Sequence, residues 1–264
     1  MNWENTLRSA IGVLAISALA ACGGGGGGGD GDSDSGGGSV DAGTAEGLYT
    51  GTTGNGQTLT GLVLDNGNYW VLYSDVNSSA IDGVIQGSSS SNNGNFTSSN
   101  GRDFNFGAYG ISDLSIAGTY VAKQSIAGNL NYGGAKPTTF NASYDARYTQ
   151  PATLANIAGS YSGQSATAGE NEGANFTVSA TGAISGSGAS GCRFTGSVAP
   201  RGNVAAYDLT LSFLGGICEQ GTATITGIAY MEPGSNRLLA AALDSTRRNG
   251  AVFIGEKAAT SVMN

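Results

Sequence analysis

The chain has no histidine. Without an imidazole there is no Ser-His-Asp or Cys-His relay and no histidine metal ligand, so the commonest hydrolytic and metal-dependent chemistries lack their usual groups. Charge is scarce as well: Asp, Glu, Lys and Arg make up 11% of the residues, with a net charge of −8 at pH 7. That is too little for a disordered polyelectrolyte, and the scattered Val, Ile, Leu, Phe and Tyr can fill a core. Basic residues do not cluster beyond Arg247-Arg248, which makes nucleic acid and anionic lipid heads poor partners. The acids after residue 45 are dispersed singly, apart from Glu170 and Glu172, which read as solvated carboxylates in a turn rather than as an acid/base pair. No apolar run approaches the ~20 residues that cross a bilayer as a helix, and helix signals are nearly absent after the first few dozen residues.

The apolar run that does exist, Ala10 to Ala21, ends in Leu19-Ala20-Ala21-Cys22 and is followed by seven glycines, Gly23 to Gly29. Small side chains at Ala20 and Ala21 give a peptidase access to the backbone, and Cys22 is the only nucleophile nearby. The arrangement resembles the lipobox of bacterial lipoproteins. That resemblance implies cleavage before Cys22, a diacylglyceryl thioether on its sulfur and acylation of the new amino terminus. The leader, residues 1–21, departs from the usual pattern in having Arg8 as its only basic residue, offset by Glu4. The competing reading is an ordinary secretory signal that leaves Cys22 a free thiol. Gly23, where an aspartate would retain the protein at the inner membrane, resembles outer-membrane sorting in enteric bacteria.

Residues 22–45 form a Gly/Asp/Ser-rich linker with nothing to bury, a disordered tether whose coil would reach ~25 Å. Asp30, Asp32, Asp34 and Asp41 echo a calcium loop, but Ser35 stands where the sharp turn needs glycine. A solvated acidic linker is the preferred reading, and no metal or other cofactor is expected.

Ordered sequence opens at Gly47-Leu48-Tyr49-Thr50-Gly51, and Gly159-Ser160-Tyr161-Ser162-Gly163 repeats it. The repeat predicts two tandem all-β domains, at 46–148 and 158–264, joined by residues 149–157. Both copies carry a strand, turn, strand pattern: Asn66-Gly67 between Thr58–Asp65 and Asn68–Ser74, and Thr181-Gly182 between Asn175–Ala180 and Ala183–Ser187. Asn-Gly predicts a hairpin whose central residues both take positive φ. A second shared pattern, Gly83 to Gly87 before Phe96-Thr97 and Gly182 to Gly186 before Phe194-Thr195, implies a different register, so the alignment of the copies stays open. The N-terminal domain is a small antiparallel barrel or barrel-like sheet, with separate strands expected at Gly94–Ser98 and Arg102–Phe106. The C-terminal domain offers eight strands, the number that closes a small up-and-down barrel, with Tyr207, Leu209, Leu211 and Phe213 alternating inward.

Cys192 and Cys218 remain an even pair in an exported chain, so a disulfide is the natural reading and two buried thiols the alternative. A hairpin turning near Arg201-Gly202 would bring both to one barrel end. Gly186-Ser187-Gly188-Ala189-Ser190-Gly191 spells a dinucleotide fingerprint but lies between strands with no helix to follow, a chance match in a glycine-rich chain.

A lipobox, a polyglycine tether, and tandem domains with Gly-x-Tyr-x-Gly openings, a Thr-Gly-Ala-Ile-Ser-Gly strand and a Cys-Arg-Phe-Thr-Gly strand resemble the surface-exposed lipoproteins of Gram-negative bacteria, the transferrin-binding and factor H-binding types. The resemblance implies eight-stranded barrels and a non-enzymatic binding role at the outer membrane, anchored through Cys22, with a protein or glycan ligand. No ligand-contact residue transfers. The candidate surface on the chain itself is the first hairpin, where Tyr69 and Tyr73 share one face and Trp70 the other. One face is core, and the opposite one is either covered by the second domain or exposed for a ligand; Arg247 and Arg248 in the last turn are a candidate grip for an anion, with a solvated turn the preferred reading. A periplasm-facing structural lipoprotein is the second reading. A small-ligand carrier is third, disfavoured because the inward rows look filled, and an apolar pocket would revive it.

Overall fold

The computed structural model describes residues 43–259, other than 79, 108, 109, 168, 170, 233 and 234. The leader, Cys22 and nearly all of the linker lie outside the described residues, as does Glu170.

Short segments rich in β-branched and aromatic residues, punctuated by glycine and asparagine, form strands throughout. In the N-terminal half these are β1 (Gly47–Thr53), β2 (Thr58–Val63), β3 (Asn68–Ser74), β4 (Ile81–Ser88), β5 (Ser90–Asn92), β6 (Asn95–Asn105), β7 (Gly110–Val121), β8 (Ser125–Asn131) and β9 (Thr138–Tyr144). Neighbours pair antiparallel, β9 returns to β1, and β4 pairs with β6, so eight strands close a barrel and the short β5 stays outside the ring. A 3-10 turn (Ala146–Thr149) and the one-turn helix α1 (Leu154–Ile157) lead into the second half. There β10 (Gly159–Ala166), β11 (Asn171–Val178), β12 (Ala183–Gly188), β13 (Arg193–Pro200), β14 (Tyr207–Phe213), β15 (Thr224–Met231), β16 (Arg237–Leu243) and β17 (Gly250–Lys257) close a second up-and-down barrel. Glu172 therefore sits in β11, not in a turn. Gly186 to Gly191 runs from β12 into its hairpin turn, with no helix after it.

The register of the duplication is readable in hydrogen bonds. Tyr49 donates its hydroxyl to Ala45 O at 3.0 Å and Tyr161 donates to Ile157 O at 2.6 Å, the same step of four residues back along the chain. In each barrel the segment ahead of the first strand thus plugs one end, with Ala45 and Ile157 almost wholly buried. The β2–β3 and β11–β12 turns match as well. In one, Leu64 N bonds Asn68 O and Gly67 N bonds Leu64 O; in the other, Ser179 N bonds Ala183 O and Gly182 N bonds Ser179 O. Only the glycine of each turn has positive φ, 79° at Gly67 and 84° at Gly182. The expected hairpin is present, but its turn is a three-residue loop closed by a left-handed glycine rather than one with two positive-φ residues. Strand β3 therefore corresponds to β12 and β4 to β13. The second sequence pattern, which sets β4 against β12, is one strand out of step.

A further correction concerns Gly94–Ser98 and Arg102–Phe106, which are one strand. In β6, Ser98 pairs with Ile116 and Gly101 with Leu114, so three steps on β6 match two on β7. This β-bulge inserts one residue and shifts the alternation, turning Gly101, Asp103 and Asn105 inward and Arg102 and Phe104 outward.

The barrels share a core. Leu48, Leu62, Leu64, Trp70, Leu72, Val84 and Phe104 on the outside of the first pack with Ile228, Tyr230, Leu239, Ala241, Leu243 and Val252 on the outside of the second. Strands β3 and β16 and the second half of β15 are consequently buried on both faces, which is why Leu238 to Leu243 reads as an unbroken apolar run.

Candidate functional site

The structure disperses the sequence candidates. Tyr69 and Tyr73 point into the N-terminal barrel and are 1% and 5% exposed, while Trp70, 6% exposed, lies between the barrels. The face bearing Trp70 and Leu72, with Val84 beside it, packs against the second barrel, which removes its apolar area from water.

Arg247 is bonded to backbone carbonyls of the first barrel. From the β16–β17 turn, with φ of 54°, it reaches across to the first barrel and donates from Nη2 to Gln86 O at 2.5 Å and Asn100 O at 2.8 Å. Those carbonyls stand where the β4–β6 ladder ends, next to the bulge, and the guanidinium satisfies both. Arg102 Nη1 returns a bond to Arg247 O at 2.8 Å. Burial holds the Arg247 guanidinium below its ordinary pKa. Arg248 stays in the solvated turn, its backbone N–H on Asp244. A second clamp joins the barrels where Arg201 meets Asp65 at 2.7 Å and Asp208 at 2.6 Å; both carboxylates are well exposed, so it contributes at most ~1 kcal/mol.

Cys192 and Cys218 are bonded, with Cα atoms 4.6 Å apart, as expected from their pairing in an exported chain. They sit at the end of the C-terminal barrel opposite its α1 plug. There Glu172 accepts from Ser190 N at 2.6 Å, and Thr167 donates to Glu219.

The concave site that sequence reasoning missed is the interior of the N-terminal barrel, a cavity of about 410 Å³. The C-terminal interior retains about 80 Å³. The N-terminal cavity lies within the ~300–1,000 Å³ of typical small-molecule pockets. Its walls are apolar, with Leu59, Val63, Ile85, Phe96, Ile126 and Phe140 among them, and its polar rim is formed by Asn55, Gln57, Ser112 and Thr138 at the end where β1–β2, β6–β7 and β8–β9 turn. The other end is closed by the entering chain: Ala45 is buried and Tyr120 donates to Gly43 O at 2.7 Å.

Two tyrosines explain why the space is open. Tyr69 on β3 bonds Ser98 on β6 at 2.9 Å, and Tyr73 on β3 donates to Asp103 Oδ1 on β6 at 2.7 Å. Each ring must cross β4 to do so, and its partners in the β4 ladder are glycines, Gly87 under Tyr69 and Gly83 under Tyr73. A Cβ at either glycine would lie 2.3 Å or 2.2 Å from the tyrosine oxygen, so only glycine lets the rings lie flat along the wall instead of filling the centre.

Asp103 is the chemical focus. It is 6% exposed, accepts from Tyr73 on Oδ1 and from Tyr132 on Oδ2, each at 2.7 Å, and Asn105 Nδ2 donates to the Tyr73 oxygen at 3.2 Å. No ion pair to Asp103 occurs among the described residues. Burial raises its carboxyl above the ordinary range, with the two phenols opposing, and burial beside that carboxylate also raises Tyr73 and Tyr132. The missed signal was Asn100-Gly101: a glycine inside a strand pattern marks a bulge, and a bulge re-aims the side chains after it. Among the described residues no group of three or more acidic or cysteine side chains could hold a metal.

No protein-family model matches the chain, and no curated protein matches it. Among solved structures it is similar to transferrin binding protein B from Haemophilus parasuis at 8% identity over 78% of this chain, and to its counterpart from Neisseria meningitidis at 11% over 76%, each with a TM-score of 0.29. The chain spans 66% and 65% of those two chains, just under two thirds of their length. It is also similar to a protein of unknown function from Nostoc punctiforme, at 10% identity over 81% of this chain and 94% of the other, with a TM-score of 0.29. No residue role or ligand passes from these structures to this chain.

Proposed function

We propose that the protein is a lipoprotein of the outer membrane, anchored by acyl chains on Cys22 and displayed at the cell surface, that binds a protein or glycan of the host or environment and catalyses nothing. Residues 22–45 hold the barrels off the membrane, and the domains at 46–148 and 158–264 act as one rigid body because they share an apolar core.

The observation that carries binding is the β14–β15 loop. Leu214 and Ile217 are 54% and 65% exposed on it, the largest exposures among the large hydrophobics of the described residues. The loop is held in one shape by the Cys218 disulfide and by Leu214 N on Arg193 O, Gly215 N on Gly221 O and Gly221 N on Cys218 O. Apolar side chains presented on a pre-ordered loop are suited to recognition, because little conformational entropy is lost on contact.

The test has two steps. Intact cells are treated with protease, and the released protein is used to capture partners, with Cys22→Ala and Ile217→Asp variants alongside. Display and capture predict cleavage on intact cells, loss of palmitate labelling in Cys22→Ala and at least about tenfold weaker capture by Ile217→Asp. Complete protection from protease would favour the periplasm-facing reading.

A further inference from the structure

The C-terminal interior retains only about 80 Å³, the contact between the barrels is packed with apolar side chains, and the arginines there are bonded to backbone or to carboxylates. The N-terminal interior is different: a cavity of about 410 Å³, open at a polar rim and plugged at the other end, with a buried carboxylate in its wall. We propose that this barrel binds a small, largely apolar molecule bearing a protonated amine, its ammonium seated on Asp103. The inference is independent of surface display, since it concerns one barrel and holds in either orientation of the protein.

Three features fix the ligand class. The walls offer Leu59, Val63, Ile85, Ile126 and Phe140, which favour a hydrocarbon or aromatic body. The carboxylate accepts one neutral hydroxyl on each oxygen, and a carboxylate oxygen has room for a further donor. No Lys or Arg pairs with it among the described residues, whereas Asp82 adds a second negative charge nearby, so the site selects for a cation and against an anion. A buried carboxylate without a cation is costly, and natural structures compensate such groups with a partner. The bulge in β6 supports a built site, since without it Asp103 would face outward and Phe104 would fill the cavity.

The probe is a matched set of similar shape: phenethylamine, phenethyl alcohol and phenylpropionate. Binding to the full-length lipidated protein is measured in phosphatidylcholine nanodiscs, with empty discs subtracted. The amine should bind about tenfold or more tighter than the alcohol, and the carboxylate weakest. Asp103→Asn should remove the preference for the amine over the alcohol, while Ala142→Leu, which intrudes on the cavity without touching the polar group, should weaken both alike.

If Asp103→Asn does not fold, the wild type decides the matter by pH. Among the described residues, the titratable groups that act on Asp103 are Tyr73 of β3 and Tyr132 after β8, which bond it, and Asp82 of β4, with neutral Asn105 beside them. Protonating Asp103 removes the counter-ion, so amine binding should weaken as pH falls through the acid range while alcohol binding holds. Failure of the amine to bind, equal binding of amine and carboxylate, or a preference that survives both Asp103→Asn and acid would overturn the proposal, whatever the outcome at the cell surface.

Discussion

The two barrels are copies in topology and opposites in content. Each closes eight strands, is plugged at one end by the segment before its first strand and fixes that plug through a tyrosine hydroxyl, Tyr49 or Tyr161. Inside, they diverge. Phe176, Phe194, Phe213 and Phe253 come from four strands of the C-terminal barrel and meet in a chain, with ring centroids 4.7 Å apart for Phe176 and Phe253 and Tyr161 stacked on Phe176 at 5.0 Å. A phenylalanine ring has no polar atom to satisfy and packs at the centre. In the N-terminal barrel the inward rings of β3 are tyrosines, and a buried hydroxyl must find a partner. Ser98 and Asp103 supply those partners on the wall, so the rings lie against it and the centre is left open. Tyrosine rings tied to the wall, glycine beneath them and a bulge that delivers Asp103 together leave the N-terminal barrel hollow where the C-terminal one is nearly filled.

The largest expected effect lies in the filled barrel. Replacing Cys192 and Cys218 together by serine opens a loop of sequence separation 26, worth ~3.5 kcal/mol on the chain-entropy account. Denaturant unfolding of the double variant should lose stability of that order. A loss below ~1 kcal/mol would mean that the packed phenylalanines alone specify this barrel, and that the disulfide serves only the loop bearing Ile217.

Interior volume gives a direct test of the comparison, with an intermediate effect. Ala229 faces the filled C-terminal interior at 2% exposure, and Ala142 faces the N-terminal cavity at 5%. Ala229→Leu must fit into the roughly 80 Å³ that remains there and should cost ~1–3 kcal/mol, whereas Ala142→Leu extends into the larger N-terminal cavity and should change stability by less than ~0.5 kcal/mol or raise it. Equal costs at the two sites would mean that the cavity collapses in solution.

Much of this was legible in the sequence, and the illegible part has one cause. The Gly-x-Tyr-x-Gly openings, the alternation of Tyr207, Leu209, Leu211 and Phe213 and the paired cysteines are local patterns, and each maps onto a strand, an inward row or a bond in the structure. For β3 the sequence showed two apolar faces, since Tyr69 to Tyr73 lacks alternation, but left open what covers the second. The cavity was not, because its volume depends on where side chains from non-neighbouring strands end. Tyr69 and Tyr73 look like core in any reading, and only their hydrogen bonds across β4 show that they line the core rather than fill it. Asp103 was hidden by the bulge: simple alternation from Phe96 and Ser98 places it outward. The bonds of Arg247 were hidden for a related reason, since the carbonyls it meets lie on strands far away in sequence.

The smallest expected effect tests whether the hollow barrel is adapted to its buried acid. Burial raises the pKa of Asp103 in the folded protein, and hydrogen bonds from Tyr73 and Tyr132 offset part of that rise. In the unfolded chain the group titrates in the ordinary carboxylate range. The fold therefore favours the protonated form, so the contribution of Asp103 is fully present below its unfolded pKa and is lost as pH rises through its folded pKa. Compared with Asp103→Asn, which cannot ionise, the wild type should gain relative stability as pH falls from neutral into the acid range, read as the difference in denaturant midpoints at each pH. The C-terminal barrel carries Leu209, Leu211 and Phe213 along the inward row of β14, the strand that corresponds to β6, so this term belongs to one barrel only. A difference that moves the other way would show that the two phenols outweigh burial and hold the carboxylate charged, leaving Asp103 satisfied without a ligand. The same midpoints measured with phenethylamine present separate the cases. A bound ammonium stabilises the ionised acid, so added amine should raise the wild-type midpoint most at neutral pH and least in acid.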